Sequence, residues 1–316
     1  MAEAAFDLYS DVPATAGNGN GSDPGLGHDR MQAIILAGGR GARLAPYTSI
    51  LPKPLMPVGD RAILELVVDQ LAATGVTKVS FCVGYLAHLI RAVFDHRENG
   101  DLEIVYVHEE EALGTAAPLR LVEGLDSTFL VMNGDVLTTI DYGDLVRHHR
   151  ASGNALTIAT HERSIKIDYG MLHLDVGERV RGFEEKPEIH SRVSMGIYVM
   201  EPSVLRYIPD GRAFDFPDLV RELLRTDERV GAYCFSGMWF DIGRADDYER
   251  AVDAWFGGNY ANEIRPATNG SAPHTNGGAP HTNGAGLHTN GAAAHANGSA
   301  PHANGAFPSA TTREDA

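Results

Sequence analysis

Short apolar runs alternate with longer amphipathic stretches from residue 31 to about residue 150. The runs are typical of buried strands: MQAIILA (31–37), VTKVSFCV (76–83), LEIVYV (102–107) and TFLVM (128–132). The intervening stretches space their apolar residues three and four apart, which predicts helices at 63–75, 87–96, 115–124 and 142–150. Strand–helix alternation predicts an α/β fold with a mostly parallel sheet, whose ligands lie at the carboxyl ends of the strands.

The pattern changes after about residue 153, where short turns join successive apolar runs. These runs predict strands at 154–160, 170–176, 179–185 and 193–200, followed by a helix near 215–225. We expect them to form an inserted mixed-sheet region over the open end of the first half. Both halves would belong to one catalytic unit, 31–256.

The two ends of the chain differ in composition from this unit. Residues 1–30 are rich in Gly, Asn, Asp and Pro, and 257–316 repeat Asn-Gly every seven residues with histidines in step. Because the repeated positions are polar, a coiled coil is excluded. Neither segment can bury enough apolar surface to offset the entropy of ordering, so we expect disordered arms.

Charge and composition restrict the class of partner. There are 26 Lys and Arg against 42 Asp and Glu, a net charge of −16, which disfavours binding to nucleic acid or anionic lipid. Only Cys82 and Cys234 are present, which excludes a disulfide framework and a CxxC site. No apolar run reaches the roughly 18 residues of a membrane helix, and the start lacks a signal-peptide pattern. We therefore expect a cytoplasmic protein without membrane contact.

A glycine-rich turn follows the first predicted strand, in LAGGRGARLAPYTSILPKPLMPV. Gly38, Gly39 and Gly41 allow a tight turn that presents backbone N–H groups to an anion, and Arg43 and Lys53 follow. The spacing lacks the third glycine of a dinucleotide fingerprint and the Gly-Lys-Ser/Thr of a P-loop. Fixed cations beside a glycine turn instead indicate a polyphosphate site.

The same stretch resembles the signature of the sugar-1-phosphate nucleotidylyltransferases, GGxGxRLxPxTxxxPKPLxPV. The resemblance continues in family order through EEEALGTAAPL, MNGDV, YGMLHLD, VRGFEEKP, MGIYVM and WFDIGRADDYERA, and covers 31–256 without the arms. It implies a Rossmann-like fold with an inserted sugar-binding region. The implied reaction joins a nucleoside triphosphate to a sugar 1-phosphate and releases pyrophosphate, and the mannose-1-phosphate guanylyltransferases are the nearest subgroup. A homo-oligomer, dimer or tetramer, is also implied.

The resemblance further implies the site residues. Asp135 and Asp241 match the family's two metal aspartates, and Mg²⁺ favours such carboxylates together with phosphate oxygens. Arg43 and Lys53 would hold the triphosphate. The catalytic set is then Arg43, Lys53, Asp135, Lys186 and Asp241, and the nucleotide-binding set is Leu36, Gly38, Gly39, Gly41, Glu109, Gly114 and Thr115.

The sugar-phosphate set implied by the resemblance is Gly170, Glu185, Lys186 and Gly196. The family often has Asn near the position of Ser194, so the sugar itself is left open. Mannose, heptose, glucose or a cyclitol such as valienol, each as its 1-phosphate, remain candidates.

Glu109 carries the base preference, because uridylyl and thymidylyl relatives commonly have Gln at this place. A carboxylate can accept from both N1–H and the N2 amine of guanine, which favours GTP. Glu110 or Glu111 is an alternative if the loop shifts by one residue. Thymidylyl or uridylyl transfer to glucose 1-phosphate and a catalytically silent regulatory subunit are the competing functions.

Overall fold

The computed structural model describes residues 31–258, and both predicted arms, at 1–30 and beyond residue 258, lie outside the described residues. The helices are α1 (Ile63–Ala73), α2 (Ala87–Phe94), α3 (Tyr142–Ser152), α4 (Phe216–Arg225) and α5 (Ala245–Phe256). The strands are β1 (Met31–Leu36), β2 (Pro57–Val58), β3 (Arg61–Ala62), β4 (Val76–Val83), β5 (Glu103–His108), β6 (Phe129–Asn133), β7 (Val136–Thr138), β8 (Leu156–Lys166), β9 (Gly170–Leu174), β10 (Val180–Glu185), β11 (Glu188–Met200), β12 (Val230–Phe235) and β13 (Trp239–Asp241).

A seven-stranded sheet in the order β12–β8–β11–β6–β1–β4–β5 forms the centre of the described region. β1 pairs in parallel with β4 and with β6, β4 pairs in parallel with β5, and β12 pairs in parallel with β8. Only β11 runs against its neighbours β6 and β8. The predicted α/β fold with a mostly parallel sheet is confirmed.

Apolar side chains cover both faces of this sheet, as a parallel sheet requires. In β1, Ala33 and Ile35 belong to one core cluster while Ile34 belongs to the other, because successive side chains of a strand point to opposite faces. Helices α1, α2, α3 and α5 contribute buried residues to the first cluster, and α4 contributes to the second. The result is a sheet between two layers of helices.

The inserted region both extends the central sheet, through β8 and β11, and adds a small separate sheet, β9–β10. β8 and β11 pair from Leu156–Met200 at one end to Lys166–Glu188 at the other. Beyond that end, β9 and β10 form a two-stranded antiparallel sheet. The predicted mixed pairing is therefore present, and β8 and β11 carry it outward from the edge of the parallel half.

The prediction of an α-helix at 115–124 is wrong. The structure has a short 3-10 helix at Ala117–Leu121. The N–H groups of Ala116 and Ala117 donate to the Phe214 carbonyl, at 2.9 and 3.1 Å, instead of starting an α-helix. Pro118 has no N–H to donate, which also weakens the α-helical ladder.

Helix α5 was not anticipated from periodicity, although its residues belong to a recognised motif. Asp247 and Ala251, one turn apart, are its buried residues. Within residues 31–258, no helix has both the length and the apolar character that crossing a membrane requires.

Candidate active site

A first cleft of about 360 Å³ opens at the carboxyl ends of parallel strands. Leu36 ends β1, Asn133 ends β6 and Glu109 follows β5, and all three line the cleft. This is the edge where ligands of parallel α/β sheets bind. The full lining is Leu36, Ala37, Gly38, Gly39, Gly41, Arg43, Lys53, Pro54, Glu109, Ala112, Gly114, Thr115, Asn133 and Asp135.

The glycine turn leaves room in this cleft. Gly41 has φ +63° and its carbonyl accepts from the Thr48 hydroxyl at 2.9 Å, so the turn closes on itself. A Cβ on Gly39 would meet nothing within 4 Å, which leaves open space above the backbone. Arg43 lies exposed on the 3-10 helix that follows the turn.

Glu109 is the glutamate of the EEE run that lines the cleft, whereas Glu110 and Glu111 are exposed and do not line it. Its carboxylate packs against Gly38, where an added Cβ would come within 2.5 Å of Oε1. Burial raises the pKa of Glu109 above its ordinary value, although a hydrogen bond from the Leu113 N–H opposes the shift. Which of the three glutamates reads the base stays a prediction, and the lining of the cleft favours Glu109.

The loop that carries Gly114 and Thr115 is fixed to the start of α4. The Thr115 N–H and hydroxyl both lie near Asp215 Oδ1, at 2.8 and 3.0 Å, and the Phe216 N–H donates to the Thr115 oxygen at 2.9 Å. This contact joins residues a hundred positions apart in the chain. It holds one wall of the first cleft in place.

Asp135 and Asp241 converge because β7 pairs with β13. Asp135 directly precedes β7, and Asp241 is opposite Val136 in the antiparallel register. The Ile242 N–H also donates to the Asp135 carbonyl, at 3.1 Å. The pairing thus brings these two residues from distant positions into neighbouring places, and both carboxylates approach the same ammonium, that of Lys53.

Lys53 lies between these carboxylates. Its ammonium forms an ion pair with Asp135 and lies 3.9 Å from Asp241 Oδ1, while its side chain is 10% exposed. The sequence analysis assigned this ammonium to the triphosphate, and the structure adds that it also offsets part of the negative charge of the two carboxylates. The donor set fits Mg²⁺, which commonly takes one or two carboxylates and completes its shell with phosphate oxygens and water.

A second cleft of about 350 Å³ adjoins the first, and Asn133 lines both. Gly196 lies here at a bulge in β11 with φ +73°, where a Cβ would come within 2.5 Å of the Asn133 side chain. The lining is Asn133, Val136, Arg163, Ser164, Ile165, Val193, Ser194, Met195, Gly196, Trp239, Asp241 and Arg244. Two clefts thus meet where the Asp135–Lys53–Asp241 group lies.

Three predicted sugar-phosphate residues are placed elsewhere. Gly170 begins β9, Glu185 ends β10, and Lys186 follows with φ +48°; all three are exposed and line neither cleft. The Gly170 backbone instead approaches Phe183 and Glu185 within the β9–β10 sheet. Of the four predicted sugar-phosphate residues, Gly196 is the one that lines either of these two clefts.

Sequence reasoning missed four residues that line the second cleft: Asn133, Arg163, Trp239 and Arg244. Asn133 and Trp239 belong to two motifs that carry the resemblance, MNGDV and WFDIG. Their positions close to Asp135 and Asp241 in the sequence could have identified them as site residues. Arg163 had no such signal, because it stands in a polar part of β8.

Comparison with known proteins gives consistent matches to one family. The model of the nucleotidyl transferase family matches residues 32–255. A UTP–glucose-1-phosphate uridylyltransferase of Synechocystis sp. is 31% identical over 242 residues, which cover 70% of this chain and 62% of that protein. A mannose-1-phosphate guanyltransferase of Aspergillus oryzae is 34% identical over 227 residues, which cover 69% and 62%.

A solved structure, HddC from Yersinia pseudotuberculosis, matches with a TM-score of 0.57 and 23% identity, over 71% of this chain and 99% of that one. At this identity the likeness establishes the fold. The chain spans 62% of the length of these two relatives, of which one is named as a uridylyltransferase and the other as a guanyltransferase.

Proposed function

Because the chain belongs to the nucleotidyl transferase family, we propose that it transfers a nucleotidyl group to a sugar, or sugar-like cyclitol, 1-phosphate. The products are a nucleoside diphosphate sugar and pyrophosphate. The observation that carries the proposal is the meeting of two clefts at Lys53, Asp135 and Asp241. The nucleotide occupies the first cleft and the acceptor the second.

The chemistry requires alignment and charge neutralisation. A phosphate oxygen of the acceptor attacks the α-phosphorus, the bond between the α-phosphorus and its bridging oxygen breaks, and pyrophosphate leaves with that electron pair. The attacking oxygen is already anionic, so no general base is needed. Arg43 and Lys53 neutralise the triphosphate, and the two clefts hold the reactants in line.

Asp135 and Asp241 are the residues that would hold Mg²⁺. When bound there, the ion supplies positive charge to the α-phosphate during transfer. Lys53 adds one positive charge, which offsets part of the negative charge of the two carboxylates and the phosphates.

We propose guanine as the base because of the position of Glu109. Its carboxylate lines the first cleft and is half-buried, where two acceptor oxygens match the adjacent N1–H and N2 donors of guanine. Glu185 and Lys186 keep their proposed sugar-phosphate roles as predictions that rest on the resemblance.

A labelling experiment tests the reaction class. With GTP labelled at the α-phosphorus, label is expected to appear in the nucleotide sugar; with γ-labelled GTP, it is expected in pyrophosphate. Both transfers should require the acceptor phosphate. Label moving from the γ-position to the acceptor would show phosphoryl transfer and contradict the proposal.

Replacing Arg43 by alanine is expected to lower kcat by about 10- to 1,000-fold and to change the acceptor KM little. The reason is that its positive charge stabilises the leaving pyrophosphate, whose charge grows in the transition state. The matched control is Arg40→Ala, since Arg40 is exposed on the same loop but does not line the cleft. Steady-state kinetics with GTP and acceptor varied separately give both constants, and equal losses in both variants would contradict the assignment.

The preference for GTP over UTP is expected to fall as the pH is lowered. Because the pKa of Glu109 is raised by burial, its carboxylate takes up a proton at a higher pH than an ordinary glutamate, and the protonated form keeps one acceptor instead of two. The measurement is the ratio of kcat/KM for GTP to kcat/KM for UTP between about pH 8 and about pH 5. This ratio follows the protonation of Glu109, because pH effects common to both substrates cancel in it. In Glu109→Gln the ratio should be low and independent of pH; a parallel pH profile in the two proteins would refute the assignment.

A further inference from the structure

Arg163 is held in the second cleft by a buried carboxylate and an aromatic ring. Its Nη1 and Nη2 donate to the two oxygens of Asp247, at 3.3 and 2.7 Å, and its guanidinium lies over the Trp239 ring at 4.6 Å. The Asp247 side chain is 2% exposed, and it also accepts from Arg250 at 2.9 Å. The guanidinium is thus fixed by a two-point hydrogen bond and by stacking.

This cluster leaves positive charge at the cleft. Two arginines share the single negative charge of Asp247, so the group keeps one net positive charge. Arg163 lines the second cleft, while Arg250 lies in a separate pocket with Ser236 and Phe240. Because Arg250 shares the charge of Asp247, the Arg163 guanidinium is only partly neutralised and keeps positive charge at the second cleft.

A second arginine faces the same cleft from another element. Arg244 directly precedes α5, is exposed, and forms no ion pair among the described residues. It follows Asp241 by three positions, and its N–H donates to the Asp241 carbonyl at 3.1 Å. Two arginines thus line the same cleft as the proposed metal aspartate, Asp241.

We propose that Arg163, positioned by Asp247 and Trp239, binds the phosphate of the acceptor in the second cleft, with Arg244 as the second cation. The inference rests on the proposed function and deepens it by assigning the acceptor phosphate to Arg163, which lies outside the recognised motifs, and to Arg244, which lies inside WFDIGRADDYERA but had no role assigned. A guanidinium has five N–H donors, and Asp247 accepts from two of them, so the others can donate to a phosphate monoester, the anionic part of a sugar or cyclitol 1-phosphate. Asp247 is a positioning residue, because it acts on the ligand through Arg163.

The test is the acceptor KM of Arg163→Gln in the full chain, with mannose, heptose, glucose and valienol 1-phosphates as probes. We expect a rise of about 10- to 100-fold in acceptor KM with GTP KM unchanged within about twofold, since a charged hydrogen bond to the acceptor alone is lost. Arg163→Lys should recover part of the loss, because lysine keeps the charge but not the fork. Asp247→Asn should raise the same KM by a smaller factor.

Arg250→Gln is the matched control, because Arg250 contacts the same carboxylate but does not line the second cleft. It should leave the acceptor KM unchanged, so a purely structural effect of disturbing Asp247 would be detected as a loss in both arginine variants. The acceptor KM of Lys186→Ala is measured in the same series, because the resemblance implies that Lys186 binds the acceptor phosphate.

An unchanged acceptor KM in Arg163→Gln, with an active parent, would overturn this inference and leave the proposed function intact. Equal rises in Arg163→Gln and Arg250→Gln would overturn it as well. A parent that uses none of the acceptor phosphates would refute the proposed function itself.

Discussion

Replacing either Asp135 or Asp241 by asparagine is expected to lower kcat by about 1,000-fold or more. Each substitution removes one of the two carboxylates proposed to hold Mg²⁺, and metal stabilisation of a transferring phosphoryl group is worth several kcal/mol. A neutral amide oxygen is a weaker ligand for a hard cation, so raising the Mg²⁺ concentration should restore part of the activity.

The two variants should differ in stability. Asp135 is the direct partner of the buried Lys53 ammonium, whereas Asp241 lies 3.9 Å from it and is more exposed, 33% against 18%. Asp135→Asn leaves the ammonium with a weaker partner, and we expect a loss of about 1–3 kcal/mol in the free energy of unfolding. Asp241→Asn should lose less.

The control is Asp246→Asn, which removes an exposed carboxylate on α5 that lines neither cleft. Turnover is measured across a range of Mg²⁺ concentrations, and unfolding by denaturant with circular dichroism. Normal turnover of both cleft variants at low Mg²⁺ would show that the aspartates are not metal ligands.

Replacing Glu109 by glutamine is expected to abolish a preference for GTP of about a hundredfold or more. Two donors of guanine meet two carboxylate oxygens, worth about 1–3 kcal/mol, and uracil would place an acceptor opposite the carboxylate at a similar cost. Together these contributions come to about 2–6 kcal/mol, and a hundredfold ratio needs about 2.8 kcal/mol, which lies within this range. The glutamine amide offers a donor NH₂ group and one acceptor oxygen, so kcat/KM of the variant should fall with GTP and rise with UTP or dTTP.

Glu110→Gln is the matched control for this substitution, because Glu110 is the adjacent carboxylate and lies outside the cleft lining. The measurement is kcat/KM for GTP, dTTP and UTP in the parent and both variants. If Glu110→Gln shifts the preference and Glu109→Gln does not, the neighbouring glutamate reads the base.

The parallel half of the fold could be predicted from the sequence because its strands are buried on both faces. A strand such as β1 is apolar at nearly every position, and that pattern is visible without tertiary contacts. The extent of β8 and β11 could not be predicted in the same way. Their outer halves are exposed, so their sequences carry no apolar run beyond about Ala159 or before Met195.

The convergence of Asp135 and Asp241 came from the resemblance, and its cause is visible only in the structure. Three-residue strands such as β7 and β13 have too few positions for a periodic pattern, yet their pairing brings Asp135 and Asp241 to the same lysine, Lys53. Arg163 illustrates the other limit, because its partner Asp247 lies 84 positions away on α5. No local pattern reports a contact of that kind.

The central claim is tested most directly by measuring pyrophosphate release for each pairing of ATP, CTP, GTP, UTP and dTTP with mannose, heptose, glucose and valienol 1-phosphates. We expect pyrophosphate release to require both substrates and to favour GTP by about a hundredfold over UTP and dTTP. A preference for UTP or dTTP would refute guanylyl transfer, and no acceptor-dependent release with any pair would contradict nucleotidyl transfer to a sugar or cyclitol 1-phosphate.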